Sequence, residues 1–304
     1  MKQMATPLLI FLLLLSFSCN QPRTLADLPD SAMHPGDKAG LQAFLARENI
    51  APETVMVAAA PIEVKAPLCI LLRKKRLERL YLRAAGIRDT TGLESLKYLK
   101  FLNLSDNRIT TLSDISALSN LKALNLSRNH ITTLVPSRMP ISTKRLAMEG
   151  NGLRDLPALN LPNLVTLNLG HNQLTHIPNL SNCLHLESIN LMDNQIARVP
   201  DLSALPRLAY LILDQNPLSE ITALNDLKTL RTLSLNNADL TTLALHDLPH
   251  LERLLIARNK LTTLDTLTNL PALQYINAAH NRITTHPPGP YKQLVLTGNP
   301  IRHP

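Results

Sequence analysis

The 304-residue sequence contains no tryptophan, and phenylalanine and tyrosine together make up 3% of it. A core built on aromatic rings is therefore excluded, and the 45% apolar content must pack mainly through aliphatic side chains. There are nine glycines, and none of them forms a phosphate-binding loop. No HExxH segment or GxSxG turn occurs, and the histidines keep no fixed spacing to carboxylates. These absences argue against an enzyme, and we expect no cofactor and no bound metal.

What the sequence does contain is a repeating phrase. In residues 121–134, LKALNLSRNHITTL, aliphatic residues stand at the first, fourth, sixth, eleventh and fourteenth places, and Asn129 stands at the ninth. The ninth place recurs in steps of 21 or 22 residues, with a last step of 18, at residues 85, 107, 129, 151, 172, 194, 216, 238, 259, 281 and 299. A regular period of this length predicts stacked units that share one core, because a single unit cannot bury its own leucines.

Strand alternation in the phrase directs Leu124 and Leu126 inward and Asn125 and Ser127 outward. We therefore expect a parallel strand ladder on one side and return segments with apolar residues three apart on the other. The ninth-place asparagine carries both donors and an acceptor, so it can satisfy backbone groups where the chain leaves each strand. This predicts a structural ladder of Asn107, Asn129, Asn151, Asn172, Asn194, Asn216, Asn259, Asn281 and Asn299. Ala85 and Ala238 replace the asparagine in two repeats, where we expect weaker turns.

The pattern LxxLxLxxNxL resembles that of the leucine-rich-repeat family over about three quarters of the chain, residues 77–301. The 21–22-residue period and the phrase at residues 119–129 are similar to the internalin-type class of bacterial surface proteins, and eukaryotic phosphatase-binding subunits share the period. The resemblance implies an α/β solenoid in which a curved stack of about 11 repeats over residues 77–304 carries a parallel β-sheet on its concave face. Short helical, 3₁₀ or irregular segments are expected on the convex face.

The N-terminus has the composition of an export signal over residues 1–18, because Lys2 precedes an apolar run at residues 8–15 that is too short to span a bilayer. Cys19 follows this run, and the leader resembles that of a bacterial lipoprotein, in which this cysteine receives lipid. Ser16 and Phe17 depart from the usual lipobox. An ordinary secreted protein that begins at Cys19 is the alternative. The leader favours the bacterial surface class over the eukaryotic one.

Residues 19–35 are polar and lack periodicity, so they are predicted to be a tether, and residues 36–76 are predicted to cap the solenoid. Within the cap we expect a helix over residues 37–48 with Asp37 as its N-cap, and a short strand over residues 62–66. Leu68 and Leu71 would belong to a return segment.

Besides Cys19 there are two cysteines, Cys69 and Cys183. Stacked strands about 4.8 Å apart would place them five repeats, roughly 20–25 Å, from each other. A disulfide requires Cα atoms within about 7 Å, so the two cannot pair. Cys183 occupies a core place in its return segment and should be a small buried apolar residue.

The outward strand positions are the candidate binding surface. Four of the seven aromatic residues outside the leader and tether fall there, and aromatics and arginine are the residues that interfaces concentrate as anchors. The alternative is that strands favour aromatics in any case. We predict a ligand-binding concave face made of Arg79, Tyr81, Arg83, Phe101, Asn103, Asn125, Asn168, Asn190, Tyr210, Asp214, Arg253 and Tyr275.

Residues 73–76, RKKR, form the strongest charge run in a chain of net charge +8. One interpretation is a patch for anionic lipid, polysaccharide or nucleic acid. The other, which we prefer, is a charged edge that keeps the first strand from pairing with another molecule. Nucleic acid is an unexpected partner because interleaved aromatics are almost absent.

The sequence thus predicts a non-catalytic, exported leucine-rich-repeat protein, monomeric and lipid-anchored at the bacterial cell envelope or surface, that binds a protein or other macromolecule on its concave face. One alternative is a structural envelope protein that binds anionic polysaccharide or membrane through the basic run. Another is a regulator of an enzyme, or a secreted effector.

Overall fold

The computed structural model describes residues 23–58, 68–219, 221, 224–225, 227–287 and 289–301. The predicted export signal, Cys19 and the strand expected over residues 62–66 lie outside these ranges. Within them there is one α-helix, α1 (Pro35–Arg47). The strands are β1 (Arg23–Thr24), β2 (Met56–Ala58), β3 (Leu68–Arg73), β4 (Arg76–Leu82), β5 (Phe101–Asn103), β6 (Ala123–Asn125), β7 (Arg145–Ala147), β8 (Thr166–Asn168), β9 (Ser188–Asn190), β10 (Tyr210–Ile212), β11 (Thr232–Ser234), β12 (Leu245–His246), β13 (Arg253–Leu255), β14 (Leu267–Thr268), β15 (Tyr275–Asn277) and β16 (Gln293–Val295).

One sheet runs the length of the described chain in the order β1-β2-β3-β4-β5-β6-β7-β8-β9-β10-β11-β13-β15-β16. From β4 onward every neighbouring pair is parallel, and each repeat adds one strand at the same register. β12 and β14 form a separate two-stranded ladder in the return segments. The predicted fold is therefore confirmed: the chain is a curved solenoid with a parallel sheet on its concave side.

Aliphatic side chains fill the space between the sheet and the return segments. Leu124 and Leu126 are buried as alternation requires, and so are Leu112, Ile115 and Leu118 of the preceding return segment. Among the described return segments, 3₁₀ turns occur at Leu93–Ser95 and Pro136–Arg138, and most of the remainder is irregular. Apolar residues spaced three apart in the return segments therefore lie in the core, but only a few of these segments form a regular 3₁₀ turn.

The helix α1 closes the N-terminal end of the core with Leu41, Phe44 and Leu45. Gly40 lies so close to the Leu93–Ser95 turn that a Cβ there would come within 2.5 Å of the Ser95 hydroxyl. The prediction that Asp37 caps this helix is wrong, because the N-cap is His34, whose Nδ1 accepts the Gly36 N–H.

Asp37 has a different role, since its side chain is buried and tied to the first repeat. Its Oδ2 accepts the Leu77 N–H at 3.0 Å and lies 3.5 Å from Nε of Arg76. The carboxylate therefore links the helix α1 to the start of β4.

Two other predictions for this region are wrong. Residues 23–35 are not a tether, because Arg23 and Thr24 pair with β2 and the side chains of Leu25 and Met33 are buried. Leu68 and Leu71 do not lie in a return segment, because they belong to β3, which pairs antiparallel with β4. The strand of the first repeat, β4, thus forms a β-hairpin with β3, and the repeat pattern carries no signal for this pairing.

The ladder asparagines sit where each strand ends and are buried or half-buried. In a middle repeat, Nδ2 of Asn129 donates to the carbonyls of Leu104 and Leu126, both at 2.9 Å, and its Oδ1 accepts the Ile109 N–H at 3.0 Å. One side chain therefore satisfies groups in two successive repeats. All nine ladder asparagines donate to a carbonyl of the preceding repeat.

At Ala238 the missing side chain changes the hydrogen bonding on both sides. Asn259 Oδ1 accepts two backbone N–H groups, from Ala238 at 3.0 Å and from Leu240 at 3.1 Å. On the other side, the Leu218 N–H bonds to the Asn216 carbonyl at 2.8 Å instead of to a side chain of the next repeat. The chain there closes a three-residue turn around Pro217. At the turn that we expected to be weaker, a local hydrogen bond therefore replaces the hydrogen bond between repeats.

A feature missed in the sequence is the left-handed residue before each ladder position. Its φ lies between 53° and 77° in every repeat, at Ala84, Asp106, Arg128, Gly150, His171, Asp193, Gln215, Asn237, Arg258, His280 and Gly298. This backbone conformation turns the chain off the strand and points the next side chain into the core. Only two of these residues are glycine, so the other turns hold an L-residue in a conformation that is normally unfavourable.

Both described cysteines are buried, as predicted for Cys183. The Cys183 Sγ lies 3.4 Å from the Leu159 carbonyl, and burial raises the pKa of its thiol. Cys69 is in β3 and packs on the concave side of the sheet with Tyr81.

The left-handed turns can be tested at Gln215, which is exposed. Releasing a left-handed L-residue is worth roughly 1–2 kcal/mol, and the added freedom of an unfolded glycine costs roughly 0.5–1 kcal/mol. Gln215→Gly should therefore raise the free energy of unfolding by about 0.5–1 kcal/mol. Gln215→Val is the matched control and should lower it, because β-branched residues tolerate positive φ least. Urea midpoints in the order valine above glycine would contradict this account of the turn.

Candidate ligand-binding face

Parallel register sorts the outward side chains of the concave face into rows that cross the strands. The first row contains Arg79, Phe101, Ala123, Arg145, Thr166, Ser188, Tyr210, Thr232, Arg253, Tyr275 and Gln293. The second row contains Tyr81, Asn103, Asn125, Ala147, Asn168, Asn190, Ile212, Ser234, Leu255, Asn277 and Val295. The structure places the predicted residues of these two rows on the same face of the sheet, whereas Arg83 lies one residue and Asp214 two residues beyond the end of its strand.

The surface divides into two parts. The first, which we call the polar basin, is a hollow of about 430 Å³ lined by Tyr81, Arg83, Asn103, Ser105, Asp106, Asn125, Ser127, Arg128 and Glu149. At its edge Asp106 accepts from Nε of Arg83 at 2.8 Å and lies 3.4 Å from Nη1 of Arg128. Partial burial favours the protonated acid, but the two guanidinium groups outweigh it and lower the pKa of Asp106. At neutral pH the edge of the basin therefore carries an ionised carboxylate between two guanidinium groups.

The predicted asparagines of the second row are partly committed to the fold. Oδ1 of Asn103 accepts the Ser105 N–H, and the same bond to the residue two positions on occurs at Asn125, Asn168 and Asn190, at 2.9–3.1 Å. These oxygens satisfy backbone groups at the strand ends, so each has at most one lone pair left for a ligand. The Nδ2 group of Asn168 is also used, because it donates to Glu149 at 2.9 Å.

The second part of the surface, the apolar band, consists of Met192, Tyr210, Ile212, Leu255 and Tyr275. Tyr210 is 46% exposed, and the other four are half-buried. Thr232 and Arg253 separate the two tyrosines in the first row, and the Arg253 guanidinium lies 4.4 Å from the Tyr275 ring centre. The band is thus a set of apolar groups spread over neighbouring strands, interrupted by Thr232, Ser234 and Arg253, with one cation stacked on a ring.

Asp214, predicted to bind ligand, is committed to internal contacts. Its Oδ1 accepts from the Ser234 hydroxyl at 2.6 Å and from the Asn236 N–H at 2.8 Å, and its Oδ2 lies 3.2 Å from Asn236 Nδ2. The carboxylate therefore holds the ends of β10 and β11 together beside the apolar band.

Tyr81 and Phe101 differ from the other predicted aromatics. Tyr81 is 8% exposed and packs with Cys69, Leu71 and Ala58, and its ring centre lies 4.8 Å from that of Phe101. Tyr81 therefore lines the polar basin and also packs against side chains of the neighbouring hairpin strand β3, so it is not a freely exposed anchor. The ring contributes to a small second core on the concave side.

The basic run of residues 73–76 forms the tip of the hairpin. Lys74 and Lys75 adopt φ of 50° and 65°, and Arg76 lies 3.3 Å over the Tyr98 ring centre beside Asp37. Our preferred interpretation, a guard on an unpaired strand edge, is wrong because β4 pairs with β3 on one side and with β5 on the other. Arg73, Lys74 and Lys75 stay exposed.

The histidines lie mostly on the surface, three of them in exposed pairs with a carboxylate: His171 with Asp193, His176 with Asp155, and His246 with Asp247, all at 2.8–2.9 Å. Within the described ranges no group of three or more histidine, cysteine or acidic side chains could hold a metal ion. The part of the chain that the structure describes also has no helix long and apolar enough to cross a bilayer.

Two known repeat families match parts of the chain. The family described as leucine-rich repeats (2 copies) matches residues 97–138 and 162–205, and the family described as leucine-rich repeat matches residues 228–283. The matched segments are therefore leucine-rich repeats, in agreement with the solenoid fold. No curated protein matches it.

Solved structures share the solenoid. The leucine-rich repeat domain of APL1B is 21% identical with a TM-score of 0.60, over 88% of each chain. YopM from Yersinia enterocolitica WA-314 is 25% identical with a TM-score of 0.54, over 78% of this chain and 59% of that one, so the chain spans less than two thirds of YopM. The functional domain of InlJ from Listeria monocytogenes is 20% identical over 69% of this chain and 64% of that one, with a TM-score of 0.38. The last value is too low to assign the internalin-type class, which stays a prediction.

Proposed function

We propose that this is a non-catalytic, exported leucine-rich-repeat protein that binds a protein partner on its concave face. The observation that carries the proposal is the apolar band, in which the ring of Tyr210 is 46% exposed in the middle of a sheet face. Tyrosine is among the side chains that most often dominate binding energy at protein interfaces, because a rigid ring buries a large area at little entropic cost.

The distance between the two parts of the face favours a macromolecule. The polar basin lies at β4–β7 and the apolar band at β9–β15. Five strand steps from β5 to β10 cover about 24 Å, at about 4.8 Å each. A small ligand could fill the basin alone, but only a polymer could contact both parts. Charged groups in the basin would set orientation, and the band would supply most of the affinity.

Anchoring through Cys19 is the second part of the proposal. It is supported by the leader composition and by the position of the cysteine after it. Because Arg23 already lies in β1, the chain from Cys19 to the solenoid spans at most about 14 Å. An acylated Cys19 would therefore hold the N-terminal end of the solenoid close to the membrane surface.

The binding prediction compares positions on the two faces. We expect a photo-crosslinking residue at Tyr210 to capture a partner from envelope or host extracts, and one at Thr268, an exposed convex residue, to capture none. Affinity for the captured protein should fall by about thirtyfold in Tyr210→Ala and Tyr275→Ala, since loss of an interface anchor costs about 2 kcal/mol. Thr268→Ala is the matched control and should bind normally.

Tyr81→Ala is unsuitable for this comparison, because Tyr81 is buried and its loss would destabilise the fold. Circular dichroism should show that the three tested variants remain folded. Equal capture at both positions, or unchanged affinity in both tyrosine variants, would refute the concave-face proposal.

The anchoring prediction concerns the mature N-terminus. Mass spectrometry of the purified protein should show a chain that begins at Cys19 with acyl groups attached, and Cys19→Ser should move the protein from the membrane to the soluble fraction. An unmodified chain that keeps residues 1–18 in the cytosol would remove this part of the proposal and favour the alternative of an enzyme regulator.

A further inference from the structure

The edge at which the strands of the concave sheet begin carries a row of cations that the binding proposal does not use. Residues 78, 100, 122, 144, 165 and 187 stack directly, because each backbone N–H bonds to the carbonyl of the one before it at 2.8–2.9 Å. Three consecutive members are lysines: Lys100, Lys122 and Lys144. Lys100 is paired with Glu78 at 2.7 Å. Among the described residues, Lys122 and Lys144 have no acidic partner.

The fold does not require lysine at these places, since Val165 and Ala209 occupy the same place in other repeats. Where charges do occur there, they can be complementary, as in the Arg231–Glu252 pair at 2.7 Å. Like charges on adjacent strands are destabilising. Lys122 and Lys144 stand on adjacent repeats without a compensating carboxylate among the described residues, so they carry charge that the fold does not need.

The hairpin tip extends the row. Arg76 lies over the Tyr98 ring, so the tip adjoins the loop of Lys97 and Lys100. At the tip, both central residues of the two-residue turn have positive φ, a geometry that favours Asn-Gly, yet they are Lys74 and Lys75. Strained residues of this kind concentrate at functional sites. We call the combined set the basic rim: Arg73, Lys74, Lys75, Lys97, Lys100, Lys122 and Lys144, all of them exposed.

We propose that the basic rim binds a linear acidic polysaccharide that lies across the strands, with its carboxylate or sulfate groups on successive lysines. A single row at about 4.8 Å per repeat, which follows the curve of the sheet, matches an extended polymer better than a planar bilayer. Single-stranded nucleic acid is bound through aromatic faces on which bases stack, and none of the seven residues of the basic rim is aromatic. The rim is a different surface from the apolar band, so this inference stands independently of the proposed protein partner.

The test measures binding of a size-defined heparin oligosaccharide to the full chain. We expect saturable binding that weakens as salt rises, because bound counterions are released. The double variant Lys122→Gln, Lys144→Gln should bind about tenfold more weakly. The matched control Lys260→Gln, Lys292→Gln removes the same charge away from the rim and should stay within about twofold. Tyr210→Ala should bind the oligosaccharide normally.

A second variant separates binding from folding. Lys74→Asn with Lys75→Gly gives the turn its preferred residues, so this variant should unfold at higher temperature while binding the oligosaccharide more weakly. An unchanged affinity would remove the hairpin tip from the site.

Three results would overturn the proposal. The first is no binding of the oligosaccharide by the wild type. The second is equal loss in both lysine double variants, which would indicate attraction by net charge alone. The third is that an oligothymidylate, or vesicles containing phosphatidylglycerol, bind as tightly and depend on Lys122 and Lys144 in the same way. That result would assign the rim to nucleic acid or membrane.

Discussion

The whole architecture depends on hydrogen-bond partners for the backbone groups that become buried in the apolar core where the chain leaves each strand. A buried N–H or carbonyl without a partner costs about 1–3 kcal/mol, and every repeat creates several of them at the same place. The ladder asparagine removes this cost by bonding to its own repeat and to the preceding one, as Asn129 does with Leu126 and Leu104. The left-handed residue before it, Arg128 in this repeat, is what turns that side chain inward.

Because inward leucines and the ladder hold the stack, the outward strand positions can vary with little effect on the fold. The freedom is not complete. Asn103 and its equivalents cap their own strand ends, Asp214 ties two strands together, and Tyr81 belongs to a second small core. Two sets of surface groups then remain without an evident structural role: the half-exposed ring of Tyr210 with its apolar neighbours, and the lysines Lys122 and Lys144 of the basic rim.

The sequence predicted what repetition encodes. Period, strand alternation, the buried leucines and the asparagine positions all recur often enough that a single exception such as Ala238 does not obscure them. The sequence-based predictions were wrong where the structure depends on a single contact that does not recur in other repeats. The pairing of Leu68–Arg73 with the first repeat strand is set by an antiparallel hairpin, and Asp37 bonds to Leu77 forty residues away. The predictions also missed the left-handed turns, because residues such as Gln215 and His171 carry none of the glycine signal that marks positive φ.

The central claim, that asparagine bonds between repeats protect the strand ends, is tested most directly by native-state hydrogen exchange at two equivalent amides. The Ile196 N–H donates to Oδ1 of Asn216 in the next repeat, whereas the Leu218 N–H, opposite Ala238, donates to the local Asn216 carbonyl. Both residues are buried in the same core. The account predicts that the Leu218 amide exchanges much faster than the Ile196 amide and slows when Ala238→Asn restores the acceptor. Equal protection of the two amides in the wild type would contradict it.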